Sequence, residues 1–418
     1  MARQDSITGK IDWLTVILYT MLVMIGWLVI YSASSGGDDK SIFDTSINSG
    51  KQFQWMVASA LIAFIILIVE ARFYVTLSYV FYVLLLLFVL SVLVIGVKVK
   101  GQQNWIRFGS FQMQPSELAK FGAALAISKY LAGLNVDIRK WYYKWRAFAI
   151  IGLPMVIIAV QGDAGSAIVF AAFSLVLFRD GLESYYLIIG ASAAVLALMS
   201  LIIYKYYIII GLAVIILLII YFSWRNKKLV MLSVGIFVLA SVYVLGVDFA
   251  FSKLKPHQQD RINVLLGKKV SEKAEWNMKQ SVIAIGSGGI LGKGYLNGTQ
   301  TKLKFVPEQS TDFIFSSIGE EFGFVGSLFI ISVFLALLFR VLYLAERQRS
   351  KFSRIYGYCV ASILFFHFLV NIGMAIGVAP VIGIPLPFIS YGGSSLLAFT
   401  LLLFVFIRLD TQRYETMR

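Results

Sequence analysis

The sequence predicts an all-α polytopic membrane protein of about twelve transmembrane helices with one large extracytoplasmic loop. Three observations predict it. Hydrophobic residues make up 59% of the 418-residue chain and charged residues 14%, and the mean hydropathy is +0.81, well outside the soluble range. Apolar windows of about 20 residues recur along the chain, the length a helix needs to cross a hydrocarbon core about 30 Å thick. Polar and basic residues gather between these windows.

Taken in order, the windows fall at 12–32, 53–70, 73–97, 116–134, 145–161 and 164–179, then at 184–204, 206–223, 229–248, 316–340, 355–379 and 386–408. The fourth is the weakest, because Glu117, Lys120 and Lys129 interrupt it. The spans use up the length, so one integral membrane domain, 1–418, is expected. No repeat at a fixed period points to a solenoid or a simply duplicated transporter. No small-residue cleavage site precedes the first span, which is expected to stay in the mature protein.

Charge sets the orientation. An even count puts both termini on one side, and the positive-inside rule selects the cytoplasm. Arg139, Lys140, Lys144 and Arg146 then share one inside loop, with Arg225, Lys227 and Lys228 in another. Arg347, Arg349, Lys351 and Arg354 lie in a third, and Arg408, Arg413 and Arg418 in the tail. Two outside segments break the rule: Lys98, Lys100 and Arg107, and the loop 249–315 with its cations from Lys253 to Lys304. Long loops translocate whatever their charge. A second basic site, in a short outside loop, favours an anionic substrate as the reason.

Cys359 stands alone in an apolar run, which excludes an internal disulfide. His257 and His367 are far apart with no metal-ligand spacing, so packing or surface roles are expected for all three.

Four stretches carry chemistry. In NWIRFGSFQMQPSELAK, Asn104 to Lys120, Pro115 suits the first turn of a helix. Glu117 and Lys120 are three apart and can pair on one face, either as a structural ion pair or as groups facing a wet cavity. Arg107 and Trp105 are placed to meet a phosphate and a sugar face, or to anchor the interface. In QGDAGSA, Asp163 reads first as a helix cap. The cluster IGSGGILGKG is no phosphate loop. Ser287 stands where a Walker loop needs glycine, and Gly294 where it needs serine or threonine. Its glycines fit tight turns in a re-entrant segment, and the polar loop that follows closes on a lone acid, Asp312. Finally, GVAPVIGIPLPFISYGGSS, Gly377 to Ser395, holds Pro380, Pro385 and Pro387. Such backbone beside a membrane must be buried in protein or line a cavity.

Together these strings, with NIGMAIGVAPVIGIPLPFISYGGSS and KLKFVPEQSTDFIF at their most specific, resemble the SEDS family (shape, elongation, division and sporulation). They span nearly the whole chain in the family's order. NIGM, GIPLPF and the GTQ and PE before TDF lean toward the rod-shape branch, while IGEEFGF is closer to the division branch. The resemblance implies a peptidoglycan glycosyltransferase that polymerises lipid II on the outer face of the bacterial cytoplasmic membrane. It also implies a class B penicillin-binding protein and other elongation-complex proteins as partners, with no nucleic acid. The family's essential acid maps to Asp312 and its charged pair to Glu117 and Lys120. The family usually has ten spans, so two are surplus here, between Gly181 and Asp248. Gln309 replaces a basic residue common in relatives.

The implied chemistry explains the residue types. A sugar hydroxyl attacks the anomeric carbon of a growing chain and undecaprenyl diphosphate leaves, with inversion. The hydroxyl needs a base, worth about 10²–10⁴-fold, and Asp312 is the candidate. Diphosphate needs no proton but needs cations. Arg107, Lys120, Lys293, Lys302 and Lys304 are the candidates, with Glu308 placed to hold a divalent cation or to orient a lysine. No other cofactor is called for. A flippase for the same lipid and a non-catalytic scaffold remain as rival readings. An acid on the outer loop, rather than at the midplane, favours chemistry over transport.

Overall fold

The computed structural model describes residues 7–36, 41–99, 102–109, 111–253, 259, 263 and 272–413. His257, Lys100 and Arg418 lie outside the described residues. Among those described, ten helices are long and apolar enough to cross a bilayer. In lipid only a helix satisfies every backbone polar group within one segment, which is why each apolar window becomes one. They are α1 (Trp13–Ser35), α2 (Asn48–Ile68), α3 (Ser78–Ile95), α5 (Trp141–Val160), α7 (Ser184–Ile202), α8 (Lys205–Ser223), α9 (Lys227–Lys253), α11 (Ile314–Glu346), α12 (Lys351–Ala375) and α13 (Gly393–Thr411). The remaining expected spans form shorter helices, α4 (Pro115–Leu131) and α6 (Ala164–Arg179). Twelve is reached only by counting these two. The chain is a polytopic, all-helical membrane protein.

Three expectations need correction. The last helix was expected from 386 but begins at Gly393, because Pro385 and Pro387 push the residues before them into extended backbone. The short loop after α3, expected outside, is a three-stranded antiparallel sheet, β1 (Val97–Val99), β2 (Gln102–Phe108) and β3 (Phe111–Met113), in the order β1-β2-β3. Trp105 pairs with Val97, and Arg107 with Gln112. The long loop 249–315 is not loop throughout: α9 runs into it, and α10 (Glu272–Ser287) lies within it.

The chain divides into two compact units, Met1–Leu182 with Trp276–Arg418, and Glu183–Glu275. The second holds α7, α8 and α9, the region where the surplus spans were expected. Its helices pack on one another, and Tyr243 donates from α9 to the Ala193 carbonyl of α7 at 3.0 Å.

In the first unit α4, α12 and α13 form the centre. Of the apolar window of α13, 89% is buried, against 17% for α3 at the rim. Lipid is as apolar as leucine, so close packing rather than hydrophobicity draws these helices together. Gly357 of α12 shows how close: a Cβ there would meet the Phe406 ring at 2.5 Å and the Ala345 Cβ at 2.7 Å. Ion pairs fix the ends. Asp12 caps α1 by accepting from the Thr15 amide, and also accepts from Arg340 of α11. Arg347 grips Asp410 at 2.5 Å.

The 33-residue helix α11 is broken. Gly323 has φ 65 and ψ −161, a backbone that L-residues avoid. The glycine cluster fills the break. The Lys293 and Gly294 amides donate to the Glu320 and Glu321 carbonyls at 3.0 and 2.9 Å, while the Phe324 and Val325 amides donate to Gly289 and Ile290 at 2.9 and 3.1 Å. Four of the backbone groups at the break thus find partners in the turn.

Candidate active site

Asp312 sits in a turn that closes on itself before α11. The Thr311 and Phe313 amides both donate to the Glu308 carbonyl, at 3.1 and 3.2 Å. Three consecutive carbonyls of this turn are then pinned from outside. Ser310 O accepts from the Tyr391 amide at 2.8 Å. Thr311 O accepts from Ser390 Oγ at 2.6 Å, and Asp312 O from Asn371 Nδ2 at 2.9 Å. Tyr391 and Ser390 belong to the proline loop, 376–392, and Asn371 to α12. The carboxylate rests against that loop: a Cβ added to Gly383, at φ +74, would lie 3.4 Å from Asp312 Oδ2.

Left-handed backbone is concentrated here. Among described non-glycine residues, Leu296, Lys304, Glu308 and Phe388 have positive φ, all in the two segments that bracket Asp312. Such conformations persist only where surrounding structure enforces them, and they cluster at functional sites.

The Glu117–Lys120 pair forms as its spacing implies, with Lys120 Nζ 2.9 Å from Glu117 Oε2. Both are buried, however, and neither faces an open surface. Lys120 Nζ also lies 2.9 Å from His367 Nε2 and 5.0 Å from the centre of the Phe399 ring. His367, expected to be a packing residue, is therefore a polar partner at the core.

Asp163 does cap α6, accepting from the Ser166 amide at 3.0 Å. Its other oxygen accepts from Asn104 of β2 and from Gln114, each at 2.8 Å. One carboxylate thus ties the sheet to the entry of both α4 and α6. The sheet also meets the end of the proline loop, because Phe111 packs edge-on against Trp55 and Trp55 lies against Gly393.

The expected cations divide into two groups. Lys293 is committed: it bonds to the fully buried Glu320 at 2.8 Å. Glu320 also accepts from the Gln300 and Thr301 amides, each at 2.9 Å, and from Thr301 Oγ1 at 2.7 Å. Arg107, Lys302 and Lys304 are exposed. Lys304 lies along the C-terminus of α1, where a Cβ on Gly36 would meet its Cε at 2.9 Å. A cation there complements the helix dipole. Arg107 is on β2, and the Gln112 amide, turned to offer its oxygen, accepts from Arg107 Nη2 at 2.8 Å. Trp105 is half-buried on the same strand.

Gln309 donates to Ala33 O at 2.6 Å and to Thr301 O at 2.8 Å. It pins the loop to α1, a task that needs no cation. Near the glycine turn, burial pushes the Tyr295 hydroxyl up to about 12, with the Glu321 charge adding to the effect. Glu308 is exposed, and among the described residues no three His, Cys, Asp or Glu side chains gather as a metal site.

A family model described as the FtsW/RodA/SpoVE cell cycle protein matches residues 12–210 and 206–415. The chain belongs to this family. It is 31% identical over 387 residues to the peptidoglycan glycosyltransferase MrdB of Escherichia coli K12, covering 90% of this chain and 89% of that one. It is 31% identical over 422 residues to the peptidoglycan glycosyltransferase RodA of Treponema pallidum, covering 93% and 95%. Among solved structures, the rod shape determining protein RodA of Thermus thermophilus is similar at a TM-score of 0.64 and 25% identity, over 97% of this chain and 98% of that one. A chain from a study of how a peptidoglycan synthase complex coordinates polymerization and crosslinking reaches 0.71 and 26%, over 97% and 99%.

Proposed function

We propose that this membrane protein is a peptidoglycan glycosyltransferase of the elongation type, polymerising lipid II at the outer face of the cytoplasmic membrane. The carrying observation is the setting of Asp312. Its carboxylate lies on a turn whose three consecutive carbonyls are anchored, at the head of a membrane helix and in the same loop that carries exposed Lys302 and Lys304. In this reading Asp312 takes the proton from the attacking sugar hydroxyl as the new glycosidic bond forms. The bond from the anomeric carbon to diphosphate breaks, and the electron pair leaves with the undecaprenyl diphosphate. The exposed cations oppose the charge that develops there. The likeness to a peptidoglycan synthase chain supports a class B penicillin-binding protein as the partner that crosslinks the product. The basic loop carrying Arg347, Arg349, Lys351 and Arg354 supports cytoplasmic termini.

The test is Asp312→Asn, which keeps the shape and removes the base. It is expected to accumulate normally and to make no glycan from lipid II. Asp312→Glu is expected to recover little, because a base must lie within hydrogen-bond reach of its proton. Near-normal polymerisation by Asp312→Asn would remove the base and return the flippase or scaffold reading.

A further inference from the structure

We propose that His367 and Asn371 are positioning residues for the Asp312 carboxylate, acting through the proline loop; the proposal rests on Asp312 being the base. The two are four apart on α12, hence on one face one turn from each other, and both are buried, at 1% and 0% exposure. Each grips a carbonyl of the loop, and the two carbonyls are consecutive. Asn371 Nδ2 donates to Ile384 O at 2.7 Å, and His367 Nδ1 lies 3.2 Å from Pro385 O. Asn371 Nδ2 also donates to Asp312 O. One amide therefore joins the acid's own backbone to the loop against which its carboxylate rests at Gly383.

The neighbours fix the tautomer. A carbonyl only accepts, so Nδ1 carries the ring proton and donates. The Lys120 ammonium only donates, so Nε2 at 2.9 Å offers its lone pair. The ring is thus neutral, and Phe399 packs edge-on against it at 4.8 Å. Its two nitrogens join the buried Lys120–Glu117 pair to the loop beside the acid. The amide of Asn371 is oriented in the same way, since its two donors face two carbonyls. An apolar side chain would fill either space but pin nothing.

The distinction from a merely structural role lies in what is lost. If the face only holds helices together, its variants lose stability, and activity follows in proportion. If it aims the carboxylate, the protein stays intact, binds lipid II and turns over slowly. A misplacement of about 1 Å at a catalytic group costs about 100-fold.

The experiment measures kcat and KM for lipid II polymerisation by the purified full-length protein, with the melting temperature of each variant. Wild type and Asp312→Asn come first. An inactive wild type or an active Asp312→Asn defeats the underlying reading, and the proposal falls with it, before any other variant is read. Asn371→Leu, which takes the donor from the Asp312 and Ile384 carbonyls, is then expected to lower the melting temperature modestly but to lose about 100-fold in kcat, far more than that loss of stability implies, with KM changed by less than about threefold, the pattern of an interaction made in the transition state. Two variants of His367 separate its nitrogens. His367→Asn keeps a donor near Nδ1 for Pro385, whereas His367→Gln keeps an acceptor near Nε2 for Lys120. The kcat of the Gln variant is expected to fall at least about tenfold further than that of the Asn variant. The reverse order would overturn the proposal. So would a raised KM at unchanged kcat, or losses that track melting temperature. Should Asn371→Leu fail to insert, the His367 pair decides alone.

Discussion

Removing one charge of the buried pair should harm the protein more than removing both. Lys120 has no exposed side-chain surface, and Glu117 only 3%. Lys120→Met leaves the Glu117 carboxylate in the core facing no cation, a situation that costs about 3–5 kcal/mol. Glu117→Gln leaves the Lys120 ammonium with the neutral His367 nitrogen at 2.9 Å, a weaker partner than a carboxylate. Its cost should lie at the low end, about 3 kcal/mol. The double variant, Glu117→Gln with Lys120→Met, strands no charge, and the coupling should recover about 2 kcal/mol or more of the summed losses. Reversal of the pair is a poorer test than spacing alone implies. A glutamate at position 120 would face the His367 lone pair, while the ring's only proton is held by Pro385. The assay is thermal unfolding of the purified proteins in one detergent, with folded yield as a second reading. A wild-type melting temperature in Lys120→Met, or a double variant whose loss equals the sum of the singles, would refute the buried-pair energetics.

The break in α11 predicts that Gly323→Ala is destabilising by about 1–3 kcal/mol from its glycine-only backbone alone. Contact adds to this, since the new Cβ would lie 2.3 Å from the Gly292 amide nitrogen; a melting temperature equal to wild type would show that the glycine turn yields freely. Topology can be tested with single cysteines at Leu303 and Arg349, both exposed, since the native Cys359 is buried. An impermeant thiol reagent applied to intact cells should label position 303 and spare 349, and the opposite pattern would invert the orientation.

Local rules made much of this structure legible, and long-range contacts explain what they missed. Ten windows became spanning helices because length and apolarity act within one segment. The Glu117–Lys120 pair was readable for the same reason, since i, i+3 neighbours share a face on any helix. His367 was not, because its partner lies 247 residues away and a lone histidine in an apolar run looks like packing. The break at Gly323 carries no polar flag of its own; its cause is the turn about thirty positions earlier. The glycines of that turn showed tight backbone, but not which helix it would enter. The sheet hid because strands of three, seven and three residues are too short for a clear alternation. Lys293 read as a free cation on an outside loop, and only the fold brings Glu320 to it.

The engagement of Lys293 by Glu320 bears on how the proposed reaction handles charge. Of the five cations expected to face a diphosphate, Lys120 and Lys293 are held by buried carboxylates. Freeing Lys120 would strand the Glu117 carboxylate in a low-dielectric interior, at a cost of several kcal/mol, and freeing Lys293 would leave the buried Glu320 charge with neutral donors alone. A ligand that gained only a surface-like ion pair in return, worth about 1 kcal/mol or less, could not drive the exchange. The leaving diphosphate must therefore meet cations that keep their freedom in the folded protein. Arg107, Lys302 and Lys304 are exposed, and the first of them has the neutral Gln112 amide beside it. The buried lysines serve a different end. They fix α4 to α12 and the glycine turn to α11, the elements from which the Asp312 turn is suspended, so in the proposed reaction the anchored turn would hold the base while exposed cations face the leaving group.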